Sequence, residues 1–154
     1  MKILKILGVI LTAIILLISA VFILPDVKYQ RARDNAVSAI SNSDRVELII
    51  TDDDHTVRTV EVSDKADVDK LKQLCCKITG YNFFNDGDLS CGYYERYAVK
   101  FINTTDNSET LVCPACDGCG SMQIGEMEFY INHDTTRKEF DKTVKKYGMD
   151  FPWV

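Results

Sequence analysis

Ile6 to Leu24 reads ILGVILTAIILLISAVFIL, 19 residues without a charge. As a helix rising ~1.5 Å per residue it spans about 28 Å, close to the ~30 Å hydrocarbon layer of a bilayer. Thr12 and Ser19 are its only clearly polar members, and a helix accepts hydroxyls that bond back to its own carbonyls. The run predicts an N-terminal transmembrane helix, with residues 1–25 as anchor and residues 6–24 in contact with membrane lipid. A cleaved signal peptide is the competing reading. Lys2 and Lys5 suit its charged start, and Ser19-Ala20 offers small residues. Yet a signal's apolar region is typically ~7–15 residues long, and this one continues through Val21-Phe22-Ile23-Leu24 with no A-x-A. No cysteine follows the run to take a lipid.

The charges divide at the end of that run. Residues 1–25 hold Lys2 and Lys5 and no acid, so the rest of the chain carries 16 bases and 23 acids, a net of −7. An acidic body argues against nucleic acid, whose phosphates need clustered Lys and Arg. Orientation is close to a tie: Lys2, Lys5 and the terminal amine stand against Lys28, Arg31 and Arg33. A short cationic tail before an uncleaved apolar run favours a single-pass protein with the body outside the cytoplasm.

Past Pro25, Asp26 to Ile40 has helical periodicity, with Tyr29, Ala36 and Ile40 on one face and Val37 at its edge. Arg33 intrudes on that face. Ser41-Asn42-Ser43-Asp44 terminates it by composition, which makes 26–44 a juxtamembrane helix and hinge and 45–154 the domain. Arg45 to Val62 alternates as a hairpin, Val46, Leu48 and Ile50 against Val60 and Val62. Asp52-Asp53-Asp54-His55 is its turn, without the spaced ligands of a calcium loop. Ser63 to Ile78 reads as a helix capped by Ser63 or Asp64, with Val68, Leu71, Leu74, Cys75 and Ile78 on its stripe and Gly80 after it. Cys75 falls at the stripe's edge and Cys76 points nearly away.

Tyr81 to Ser90 is a loop, with Phe83 and Phe84 packing it down. An antiparallel meander follows: Tyr97, Val99 and Phe101, then Thr110 to Cys113, Ser121 to Ile124, and Met127, Phe129 and Ile131. A last helix starts near Asp134. Thr136 and Glu139 have capping-box spacing, Phe140, Val144 and Tyr147 form the stripe, and Gly148 ends it. Phe151, Pro152 and Trp153 fold back as a plug. The fold class is α+β: an anchor, then a mostly antiparallel sheet with two packed helices.

Cys75, Cys76, Cys91, Cys113, Cys116 and Cys119 carry the only chemical signal. In an exported body an even count suits disulfide bonds, with Cys91 and Cys113 on neighbouring strands and Cys116 and Cys119 around one loop. Alternatively, Cys113, Cys116 and Cys119, with Cys91 or Cys76 as fourth ligand, suit a tetrahedral zinc site. The stretch also resembles the zinc-binding repeat of DnaJ-type chaperones. Cys113, Pro114, Cys116, Gly118 and Gly120 match its C-P-x-C-x-G-x-G pattern over eight residues. That family uses several repeats, two per zinc, where this chain has one. The third reading is a thiol–disulfide oxidoreductase centred on Cys113-Pro-Ala-Cys116, but Asp117, Gly118 and Gly120 oppose the helix that would activate a thiolate.

No P-loop, G-x-G-x-x-G, H-E-x-x-H or G-x-S-x-G occurs. His55 and His133 fall in turns, and the carboxylates read as turn or surface residues without an acid–base pair. The Asn103-Thr104-Thr105 sequon matters only in a glycosylating secretory route. The expectation is a single-pass membrane protein with a small extracytoplasmic α+β binding or interaction domain, without catalysis and without a cofactor. A membrane-tethered zinc domain is the alternative and the oxidoreductase comes third.

Overall fold

The structure is a computed structural model. It describes residues 2–51, 56–79, 97–115, 120–125, 127–131 and 133–150, and the side chains of 2–6, 21–25 and 133–135 are not part of that description. The expected turn at Asp52–His55, the loop at Tyr81–Ser90 and the plug at Phe151–Trp153 therefore lie outside the described residues.

The first element, α1, is one helix from Lys2 to Asn42. It continues through Pro25, where a join was expected; Pro25 has no N–H to donate, so one rung of the helix is missing there. The two halves of α1 have opposite surroundings. From Leu7 to Ile18 the large apolar side chains are exposed, Val9 at 70% and Leu17 at 66%. Further on, Ala36 and Ile40 are buried, with Ala32 and Val37 packed beside them. Among the described residues no helix is long and apolar enough to cross a membrane.

Among the described residues seven strands follow: β1 (Arg45–Thr51), β2 (Val57–Glu61), β3 (Ile78–Thr79), β4 (Tyr97–Asn103), β5 (Ser108–Pro114), β6 (Ser121–Ile124) and β7 (Met127–Ile131). Helix α2 (Lys65–Cys75) lies between β2 and β3, and α3 (His133–Lys145) follows β7. The strands form one sheet in the order β2-β1-β4-β5-β6-β7-β3. Every pairing is antiparallel. The predicted hairpin and meander are thus present, and β1 is paired with β4 rather than left at an edge. The short β3 was not foreseen. The helical stripe reached Ile78, but α2 stops at Cys75 and Ile78 pairs with Ile131 of β7.

Strand alternation sends one set of side chains to the helices. Val46, Leu48 and Ile50 lie beside Val99 and Phe101, then Val112, Met122, Ile124, Phe129 and Ile131. Leu71 and Leu74 of α2 and Phe140 and Val144 of α3 close over them. Two packed helices were expected; the end of α1 is a third, because Ala36 and Ile40 extend the same apolar layer. The opposite face carries an ion ladder across β1, β4 and β5. Lys100 Nζ is 3.7 Å from Glu47 and 3.4 Å from Glu109, and Arg45 is 2.9 Å from Glu47. Such pairs at the surface, here with Glu47 and Lys100 half-buried, contribute on the order of 1 kcal/mol each.

Ser41–Asp44, read from composition as the hinge, is tightly bonded. Ser43 is buried and its hydroxyl donates to Ile40 O at 2.7 Å, while Asp44 N donates to Ile102 O at 2.9 Å. The last helix begins at His133, three residues before the expected capping box. Thr136 is therefore inside α3, and Glu139 pairs with Lys70 of α2 instead.

Candidate functional site

The end of α1 and the start of β1 form one wall of a groove, and α2 forms the other. Asp64 makes that second wall possible: its carboxylate accepts the Ala66 N–H at 2.7 Å and caps α2. The cavity between the walls has a volume of about 420 Å³ and is lined by Ser43, Asp44, Arg45, Glu61, Val62, Ser63, Lys65, Val68, Asp69 and Lys72. A second hollow of about 320 Å³ adjoins it through the shared Asp69 and Lys72 and adds Ser41, Gln73 and Cys76. Lys72 bridges the walls, its ammonium donating to Ser43 O at 2.6 Å. A cation there also suits the carbonyl end of α1.

Three acids and three bases line the larger cavity, so it carries both signs without a net excess. Asp44 is committed to the fold. Its carboxylate accepts the hydroxyl and the amide of Thr104, which hold its pKa below the ordinary carboxylate value. Thr104 belongs to the sequon, where Asn103 Oδ1 also accepts the Thr105 N–H at 3.0 Å. The Cys76 thiol donates to Val37 O at 3.8 Å and lies 3.5 Å from the Ser41 hydroxyl. This groove can hold a polar or zwitterionic group between opposite charges.

The cysteine readings meet the structure at only some positions. Cys75 is buried, and burial beside Cys76 pushes its thiol pKa far up. Cys76 is half-buried, so the predicted split between a core thiol and an outer one is correct in sense, but Cys76 faces α1 rather than solvent. Both are free thiols. Cys113 is buried on β5, opposite Gln123 of β6. Cys91, Cys116 and Cys119 lie outside the described residues, and with them the rest of the expected metal or disulfide cluster. Among the described residues no group of three or more His, Cys, Asp or Glu side chains is placed to hold a metal ion.

A buried carboxylate was missed. The acids were expected in turns and on surfaces, yet Asp67 is only 7% exposed. It joins α2 to α3: Lys146 Nζ donates to it at 2.6 Å and the Tyr147 hydroxyl at 3.0 Å. The Lys146 bond, then that of Tyr147, lowers the Asp67 pKa against the opposing effect of burial. Burial, then the carboxylate, raises that of Tyr147. The legible signal was Asp67 one turn before Leu71, an acid on an apolar stripe that demands a partner. Beside it is a hollow of about 310 Å³ with Lys70, Glu139 and Lys142 in its lining.

No family model, curated protein or solved structure matches this chain.

Proposed function

We propose that the chain is a single-pass membrane protein whose residues 6–24 sit in lipid and whose α+β body, outside the cytoplasm, acts by binding a partner. The observation that carries this reading is the exposure of Leu7, Val9, Ile10, Leu11, Ile14, Ile15, Leu16, Leu17 and Ile18, all about half exposed or more. At about 100° per residue these positions surround the helix. A helix apolar on every side suits lipid, whereas a docking helix has one apolar stripe. The described side chains of the run cover residues 7–20, and the uncharged sequence extends beyond them to residues 6 and 24.

Binding rather than chemistry is supported by the way the polar groups are used. Asp44, Asp67 and Glu139 each hold two parts of the fold together. The groove beside Lys72 offers both charges to a polar segment of a partner. The test uses full-length protein in its own cells. It is expected to stay in the membrane through an alkaline carbonate wash, and its body to be digested by protease added on the non-cytoplasmic side of the sealed membrane. Release by carbonate removes the anchor. Retention with protection from protease places the body on the cytoplasmic side and overturns the orientation.

A further inference from the structure

We infer that the end of the body nearest the anchor is a basic surface that rests on anionic lipid headgroups; this goes beyond the anchor reading and rests on it. The antiparallel packing of α1 and α2 determines which end that is. Lys72 reaches Ser43, Cys76 reaches Val37, and Arg33 Nε donates to Ile78 O at 2.9 Å. Moving down α1 towards the apolar run is therefore moving towards the C-terminal end of α2. Helix α3 runs against α2 in turn: Lys146 meets Asp67, Glu139 meets Lys70, and Glu139 is also within the electrostatic reach of Lys77. The first turns of α3 thus lie at the anchor end, as does Ile131, paired with Ile78.

This end presents Lys28, Arg31, Lys77 and Lys138, all exposed. None of the four has a carboxylate within ion-pair distance among the described residues, while Lys145 and Lys146 at the far end are paired with Asp141, Asp150 and Asp67. Asp26 and Asp34 are the acids of the same α1 segment, and Asp34 is 3.6 Å from Arg33. Among the described residues of this end, Lys28, Arg31, Arg33, Lys77 and Lys138 stand against Asp26, Asp34 and Glu139, a local excess of bases in a body whose net charge is −7.

The height fits as well. Arg33 is nine residues past Leu24, or about 13 Å along the helix, and tilt only lowers it. Headgroups occupy about 6 Å of that distance. The remainder is about 7 Å, within the ~8 Å screening length at physiological salt. The helix that sets this height is packed into the core through Ala36 and Ile40, so the basic end is not carried on a loose tether.

The test is full-length protein in nanodiscs of phosphatidylcholine, or of equal parts phosphatidylcholine and phosphatidylglycerol, each with a nitroxide-headgroup lipid. Amide broadening is read at Lys77–Thr79 and Arg137–Lys138 and compared with Lys65–Asp67. Anionic discs are expected to add broadening at the first two sites only, and added salt to remove it. Each Lys near an anionic surface is worth about fivefold in occupancy, so K77E/K138E is expected to cut the added broadening at least about fivefold. Equal broadening in both discs, or none lost in K77E/K138E, overturns the inference while leaving an inserted anchor intact. A chain that does not co-purify with the discs overturns the anchor reading and this one together.

Discussion

Replacing Ile40 by Ala tests whether α1 belongs to the fold of the body or merely leads to it. Ile40 is fully buried in the cluster that contains Leu48, Leu71, Phe101 and Phe140. The substitution removes three carbons, about 2.4 kcal/mol at ~0.8 per buried carbon, and leaves a cavity that a close-packed core refills only in part. The expected loss is about 3 kcal/mol, or about 10 °C in melting temperature for a body of this size. Helical circular dichroism would be dominated by α1. Amide exchange at Val99 and Phe101 is the better assay, because β4 is flanked by β1 and β5 and opens only with the whole sheet. Ile14→Ala in the same detergent is the control: Ile14 is 48% exposed and its loss is expected to change β4 protection by less than about 0.5 kcal/mol. If Ile40→Ala also cost under about 1 kcal/mol, residues 26–44 would be a tether, and the packing of α1 described above would be wrong.

Four further outcomes can be measured. Because the folded Asp67 carboxyl titrates below its unfolded value of 3.8, the contribution of its bonds to Lys146 and Tyr147 is present above that pH and lost as pH falls through the folded value. Urea midpoints are expected to drop below about pH 4 in the native chain and to drop less in Asp67→Asn. Gly148 has φ +78 and a built Cβ would lie 3.4 Å from Arg58 Nη1, while Gly125 has φ +61 with nothing within 4 Å. Both Ala variants should lose about 1 kcal/mol to backbone strain, read from urea midpoints, since at neither position does the added Cβ meet a neighbour closer than ordinary contact. In the folded protein a small maleimide is expected to modify Cys76 well before Cys75, by peptide mass mapping; equal rates would contradict the burial of Cys75. With denaturant, chelator and alkylating agent but no reductant, intact mass should show fewer than six added groups if the body is exported, and all six if its cysteines are reduced.

Much of the fold was legible because period alone distinguishes its elements. Val46-Leu48-Ile50 and Val99-Phe101 alternate as strands must, and Leu71-Leu74 and Phe140-Val144 repeat as helices must. Boundaries were less legible. Ile78 satisfies a helical stripe and a strand equally well, and only its pairing with Ile131 ends α2 at Cys75. The candidate groove was not legible at all. Its walls come from residues 41–45, 61–65 and 68–76, whose polar side chains look like ordinary surface until α2 packs against α1.

The sequence by itself determined an uncharged apolar run, an acidic body behind it, and the alternation of strands and helices. These are properties of neighbouring residues, set by side-chain polarity and backbone period. Tertiary structure alone decided that β4 lies between β1 and β5, that Asp67 meets Lys146 and Tyr147, and that Lys77 shares an end of the body with Arg31. Those partners lie tens of residues apart, and no local preference encodes such a distance. They meet because a sheet with one apolar face must be covered, and α1, α2 and α3 together supply the surface that covers it.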